Sequence, residues 1–486
     1  MNVYFSDYFD VSTDVLEAYG AFNISLINDL PVFVDPFLLF NSKKPEYQSL
    51  HKKIIEYITF LREMSEAGRI SKGLLAHWFL FPEVKQNWLG YSKVGNDGAG
   101  LGSKFALALN QNLSTIFKDF GAEQITKSSH LEKLCLIKDG VGKDNISDFT
   151  TNLIKSFLCE YTQEFAVRHL NQNRMKIVNV AHSEFDYHTR SWRSNKYRLP
   201  YIDGDYVLLT PKDILTKDEA WINKYDIIGD FDEIVASIPN MELRSQINDY
   251  LLRSIPKDSK QREINEAIAR TLRKFPELID RYIRYKEDNG HKAVALSNQK
   301  IEEIETIFIK QVTSLIKRLR DDGHFYLSTG DTHDEAYNRV LYLKKIIENN
   351  DGYRIFYING QPVKREADLQ LMFRLTWYAT NDDVNAEVNN GRGPVDYKIS
   401  RGSKDSTLVE FKLASNSKLK QNLEKQVDIY KAANDTNKSI KVILYFSEDE
   451  LMKVHKIIKD LDLKEGKELV LIDAQSTNKP SGSKAK

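Results

Sequence analysis

The chain has 486 residues, 41% hydrophobic and 11% aromatic, which indicates globular domains, two to four of them, and excludes a disordered chain. Its 69 basic and 69 acidic residues cancel, which excludes a generally basic nucleic-acid coat and leaves any affinity for a polyanion to a local patch or a partner. Two cysteines, Cys135 and Cys159, offer neither a disulfide framework nor a zinc site and point to a reducing cytoplasm. No apolar run approaches the roughly 20 residues of a membrane span, and MNVYFSDYFDVSTD lacks the basic start of a signal peptide.

In chain order, the first 350 residues read as mainly helical with small β insertions. NISLIND and LPVFVDPFLLF are short strand candidates, and residues 51–67, 103–120 and 146–170 have helical apolar spacing. The glycine-rich KVGNDGAGLGSKFALAL (93–109) could cradle an anion with its amides, but it matches neither phosphate-binding glycine pattern, so a loop is the better reading. In DGVGKDNISDFT (139–150) Ser147 is expected to cap a helix, and capping and solubility account for Asp144 and Asp148. Residues 175–211 turn to β-formers and turn residues. There His182 and His188, around Glu184 and Asp186, have loose metal-ligand spacing, which on so irregular a segment is read against a metal. Trp192–Arg193 and Lys196–Tyr197–Arg198 mix cations with aromatics and suit either nucleic-acid contact or a packed turn. Charged helices follow at 259–288 and 297–321, then a loop DGHFYLSTGDTHDEA and an amphipathic helix AYNRVLYLKKIIENN. The expected division is 1–173, mainly helical; 174–352, mixed then helical; 353–477, α/β; and 478–486, a disordered tail.

The last quarter is the most legible. Residues 363–379 have helical spacing, with Glu366 on the stripe of Leu369, Phe373 and Trp377. VNAEVNN (384–390) reads as a strand, and GPVDYKISRGSKDSTLVEFKL (393–413) as a hairpin of two alternating strands around a polar loop. If Ser400 pairs with Ser406, counting back sets Asp396 opposite Glu410. Their β-carbons would then be about 5 Å apart, which is repulsive unless a divalent cation lies between them. Hard oxygen ligands suit Mg2+ or Mn2+, and Lys412 on the same face could hold a water or a phosphate oxygen. The competing reading is a solvated strand face. Residues 418–435 are again helical, with Gln426 four residues before Tyr430. Strand candidates 439–447 and 467–475 bracket a helix, EDELMKVHKIIKDLD.

This order of elements, with GPVD, Glu410-Phe411-Lys412 and Gln426-x-x-x-Tyr430, resembles the PD-(D/E)XK nuclease superfamily with its restriction-endonuclease-like fold. More narrowly it is similar to the branch with a Q-x-x-x-Y helix that includes RecB-type exonuclease domains. The first motif reads Val-Asp where Pro-Asp is the common form. The resemblance implies that Asp396 and Glu410 bind the catalytic metal, Mg2+ or Mn2+, with the Phe411 carbonyl nearby and Glu366 completing the shell. It implies that Lys412 positions the attacking water, and that Gln426 and Tyr430 brace the site or contact the substrate backbone. Glu387 is a weaker candidate for the same pocket. The expectation is therefore a DNA-hydrolysing enzyme of bacterial restriction or anti-phage defence. Its N-terminal part would serve as a sensing, DNA-binding or assembly module, open to a partner protein, a phage-derived trigger or oligomerisation, with no membrane partner. Two alternatives remain: a non-catalytic nucleic-acid-binding or scaffolding protein that keeps the fold, and an interaction module in which D…ExK is coincidence.

Overall fold

The computed structural model describes residues 3–479 apart from 28, 69, 91–100, 103–104, 108, 111–112, 114–122, 138–142, 218–219, 256–260, 312, 314–329, 350–351, 359–360, 363–365, 378–381, 390–393, 403–404, 427–435 and 437. The chain forms two compact units, one running to Ile301 and one from Glu302. The expected boundaries at 173 and 352 both fall inside these units, because the segments on either side of each pack together.

The first unit is mainly helical. Helix Pro45–Glu66 appears where apolar spacing predicts one, and the 146–170 stretch forms two helices, Lys143–Leu153 and Lys155–His169. LPVFVDPFLLF is mostly not a strand. Only Phe33–Val34 is extended, after which Asp35 accepts the Phe37 amide and Pro36 opens helix Pro36–Asn41. An acceptor followed by proline is a helix start, since proline at the first helical position forgoes no hydrogen bond. Ser147 does not cap a helix either: it lies inside Lys143–Leu153, and its hydroxyl accepts the Val34 amide at 3.0 Å. The 259–288 stretch divides at Pro276 into Gln261–Lys274 and Glu277–Asp288. Residues 175–211 contain a long hairpin, Met175–Asp186 with Ser191–Ile202. Most of the glycine-rich 93–109 segment and much of 103–120 lie outside the described residues.

The second unit is an α/β domain. Its elements are α1 (Thr332–Asn349), α2 (Glu366–Thr376), β1 (Asp383–Asn389), β2 (Pro394–Arg401), β3 (Asp405–Leu413), β4 (Lys438–Tyr445), α3 (Glu448–Asp460) and β5 (Leu469–Asp473). They form one mixed sheet in the order β5-β4-β3-β2-β1. β1, β2 and β3 are antiparallel neighbours joined by short connections, whereas β3, β4 and β5 run parallel and so need the longer crossovers. α1 starts at Thr332, four residues before the expected Ala336, because the Asp331 carboxylate accepts the amides of His333 and Asp334.

β3 is the central strand and is covered on both faces. Val409 and Phe411 are fully buried on the side of α1 and α2, where the Phe411 ring meets Phe373 at 5.1 Å. The opposite side is covered by α3 and the turn at 419–426, where Leu419, Leu423, Val454, Ile443 and Leu471 form one cluster. Fully burying each such side chain contributes roughly 1.5–3 kcal/mol. Leu408 and Glu410 are therefore buried too, and β3 has no solvated face. Asn478 and Lys479, expected in the tail, are bonded to Asp473; residues 480–486 lie outside the described set.

Candidate functional site

The hairpin register settles where the charges meet. Ser406 pairs with Ser400, Thr407 with Ile399, Leu408 with Lys398 and Val409 with Tyr397. One step further the ladder gives way: the Phe411 amide donates to Asp396 Oδ2 at 2.6 Å, a side chain taking a backbone acceptor's place. In the turn, Gly402 has φ 68°, a left-handed conformation that costs glycine little. Glu410 thus stands on the central strand beside Asp396 and, on its other side, opposite Lys441 of β4. Lys441 donates to the Leu423 carbonyl at 3.2 Å, tying β4 to the 419–426 turn. From the other side of the sheet, Glu366 at the start of α2 accepts the Leu413 amide through Oε1 at 3.2 Å.

Lys412 gathers these groups. Its Nζ lies 3.1 Å from Glu410 Oε1, 3.7 Å from Asp396 Oδ2 and 3.9 Å from Glu366 Oε2, and it donates to the Phe411 carbonyl at 2.9 Å. These are the four oxygen donors that the resemblance implies for a metal, arranged about an ammonium. The site is largely shielded, with Glu410 10% and Lys412 14% exposed in their side chains. Burial pushes the Glu410 carboxyl above its ordinary range; Lys412 opposes that shift while Asp396 and Glu366 add to it. Burial alone would lower Lys412, yet the carboxylates of Asp396, Glu410 and Glu366 outweigh it and hold the ammonium charged. Three negative groups face one positive one, so the cluster favours further positive charge.

Among the described residues, no three His, Cys, Asp or Glu side chains stand close enough together to hold a metal as they are. What the three carboxylates share is Lys412, within 4 Å of each. In donor type the cluster fits a hard cation, since it offers three carboxylates and a carbonyl and no sulfur.

Of the other expected site residues, Gln426 ends a short stretch of π-helix, Asn422–Gln426, that continues Leu419–Gln421, and its side chain lies outside the described set. Tyr430 lies wholly outside it, and so does the side chain of Glu387 on β1. The expected helix at 418–435 is thus seen only in its first half. In the hairpin of the first unit, Tyr197 is buried and the Trp192 ring packs on Tyr57 and Phe185, so those aromatics serve the core.

A second concentration of buried ionisable groups, in the first unit, left no mark in the sequence pattern. Asp35 accepts the amides of Phe37 and Trp221, and Glu132 is fully buried with both carboxyl oxygens lacking a hydrogen-bond partner among the described residues. Burial raises both acids, and Asp35 raises Glu132 further. Nearby, His130 Nε2 meets Glu287 Oε1 at 2.9 Å, and burial followed by His130 pulls His51 down to about 3. Among the described residues this network encloses no group of metal ligands.

Residues 10–223 are similar to a domain of unknown function, DUF8370, and residues 332–448 to a second one, DUF8371. The second match opens at the first residue of α1 and takes in Glu366, Asp396, Glu410 and Lys412. No curated protein and no solved structure matches the chain.

Proposed function

We propose that the second unit is a Mg2+- or Mn2+-dependent nuclease that hydrolyses DNA phosphodiester bonds, with restriction or anti-phage defence as its setting. The observation that carries this reading is the convergence of Glu366, Asp396, Glu410 and the Phe411 carbonyl on Lys412 Nζ, at the point where an antiparallel hairpin passes into parallel strands. Asp396, Glu410, Glu366 and the Phe411 carbonyl are the residues that would hold the cation, which when bound supplies Lewis-acid polarisation of the scissile phosphate.

The chain's own groups do the rest. One oxygen of Asp396 and one of Glu366 are fixed by strand amides, so neither carboxylate has to be ordered when a ligand arrives. Lys412, whose ammonium stands among these oxygens, would orient the attacking water and offset negative charge on the phosphate. The shielding of Glu410 and Lys412 strengthens each of these interactions.

The test is incubation of circular and linear duplex DNA with the full chain and Mg2+ or Mn2+, beside Glu410→Gln and Asp396→Asn. Metal-dependent cutting that falls by two orders of magnitude or more in both variants is the expected result, and preference for circles or ends then separates endonuclease from exonuclease. Cutting that is equal in wild type and variants contradicts the proposal. A second reading, a non-catalytic nucleic-acid-binding or scaffolding domain, is favoured by one observation: the Lys412 ammonium already neutralises part of the carboxylate charge. That reading gains if the protein binds DNA with no cutting under any metal.

A further inference from the structure

The first unit buries a cation for which its own residues supply no counter-charge. Lys155 opens helix Lys155–His169, directly after helix Lys143–Leu153, and is 5% exposed. Among the described residues its ammonium has no hydrogen-bond acceptor and no ion pair. One turn along the helix stands Cys159, but burial pushes that thiol up to about 12, so at neutral pH it carries no negative charge. Burial pulls Lys155 itself down to about 8, and Cys159 alone opposes that shift. At neutral pH the amine is therefore mostly charged, in a place where an unpaired charge is costly.

Two further basic groups border it. His182 lies in the bulge of strand Met175–Asp186, where the register with Ser191–Ile202 shifts between Val180 and Glu184. Its backbone is left-handed at φ 50°, a conformation that a histidine seldom adopts. Ser183 fixes the bulge: its hydroxyl accepts the Asn195 amide at 3.1 Å and donates to the Arg193 carbonyl at 3.3 Å. His77, on helix Lys72–Phe79, brings its ring to 6.5 Å from that of His182. The next residue, Trp78, ties this helix to the hairpin by donating from Nε1 to the Arg190 carbonyl at 2.9 Å. Burial pushes His182 down, Lys155 and His77 push it further, and no carboxylate opposes them. Both histidines are exposed, so the cluster opens to solvent at their rings. The Trp192 ring, 6.0 Å from His182, borders it on the apolar side.

A buried ammonium and two imidazoles from three separate elements, with no acid acting on the lysine or on His182, favour an anion. A carboxylate presents two oxygens in one plane, whereas a tetrahedral oxyanion has an oxygen for each of three donors on different elements. We propose that Lys155, His77 and His182 form a binding site for a small ligand carrying a phosphoryl group. The ligand supplies the counter-charge that Lys155 lacks. The site lies wholly within the first unit and does not depend on the nuclease reading of the second.

The experiment is calorimetric titration of inorganic phosphate into the full chain, in EDTA at neutral pH and constant ionic strength, with acetate as the comparison anion. Wild type is set beside Lys155→Met, His182→Asn and Glu410→Gln. Methionine keeps the length of the buried stem and removes an unpaired charge, and asparagine accepts a left-handed backbone, so neither variant is expected to melt below wild type. Saturable binding of phosphate to wild type is expected, weaker by at least about tenfold in Lys155→Met and His182→Asn and unchanged in Glu410→Gln. A wild type that binds no phosphate overturns the inference, as does equal affinity in wild type and Lys155→Met. Should Lys155→Met fail to fold, equal affinity in wild type and His182→Asn overturns it. Acetate bound as tightly as phosphate overturns the phosphoryl class of ligand. Phosphate binding that is lost in Glu410→Gln and kept in Lys155→Met places the anion at the Lys412 cluster and overturns the site.

Discussion

Lys412 is the residue on which the electrostatics of the second unit turn. Replaced by Met, it would leave Glu366, Asp396 and Glu410 in a shielded site without the ammonium that lies within 4 Å of each. Breaking such a buried pairing costs on the order of 3–5 kcal/mol, so denaturant titration of Lys412→Met should show a loss of that order. Millimolar Mg2+ or Mn2+ should restore much of it, and should stabilise wild type less, because there the ammonium already occupies the carboxylates' company. A variant whose stability ignores divalent cations would argue that the cluster is an ion pair and nothing more. Glu410 sets a pH dependence. Its carboxyl is raised by burial, so it ionises at higher pH than an ordinary glutamate, and ligand-holding needs the ionised form. The acid limb of the cleavage profile is therefore expected above the usual carboxylate range near pH 4 and should move in Asp396→Asn, which removes one of the charges that raise it. A limb at the ordinary position in both proteins would contradict this role for Glu410. Asp396 and Glu410 were legible in the sequence because a hairpin register can be counted from its turn, Ser400 against Ser406; Lys412 followed by alternation, and Glu366, on α2, came from the resemblance alone. Lys412 Nζ at the centre of the acids was not legible, since spacing gives a face and not the direction a long side chain takes along it. Asp35 and Glu132 escaped for a plainer reason, that a buried acid on an irregular segment has no periodicity to betray it.

At the scale of elements, the second unit followed its pattern closely. Period-two alternation in 394–401 and 405–413, and apolar runs in 438–445 and 469–473, each became a strand within a residue or two of expectation. The misreadings share a cause. LPVFVDPFLLF looked extended because its apolar run is dense, but the Asp35–Pro36 pair decides in favour of a helix. The helix from Thr332 was dated late because its cap, Asp331, lies in a stretch that reads as loop. Ser147 was given a capping role that its burial in the helix Lys143–Leu153 excludes. Asp331 offers a direct check on the cap. It accepts two amides and pairs with Lys438, and these contacts hold its carboxyl down at about 2. Asp331→Ala is expected to cost about 1 kcal/mol in denaturant titration at neutral pH. The sign with pH is fixed by the lowered carboxyl: the stabilisation is present above the ordinary aspartate range and is lost as pH falls towards 2, so the difference between wild type and variant should shrink in acid. A difference that persists unchanged at low pH would place the effect elsewhere.

For the whole molecule, composition set the class correctly, with a mainly helical first part and a C-terminal mixed sheet between helices, while the unit boundary at Ile301–Glu302 had no compositional marker because it falls within a continuous helical stretch, Gly290–Ile304. The first unit should be the pH-sensitive one. Asp35 and Glu132 are raised in the folded chain above their unfolded values, so the folded state holds their protons longer. The stabilisation is complete below the unfolded carboxylate range and falls as pH rises above about 4 and on through the raised values. Thermal unfolding of the full chain should show a transition that drops with rising pH and drops less in Glu132→Gln; identical pH dependence in the two would contradict the buried pair. No helix among the described residues is long and apolar enough to cross a membrane. The Lys412 site can be examined without a trigger or a partner. Calorimetric titration of Mn2+ into the full chain at pH 8, without DNA, beside Glu410→Gln and Asp396→Asn, is the most direct measurement. Saturable binding to wild type that is lost in both variants is what the geometry at Lys412 predicts, and wild type that binds no Mn2+, or variants that bind it as well as wild type does, would contradict it.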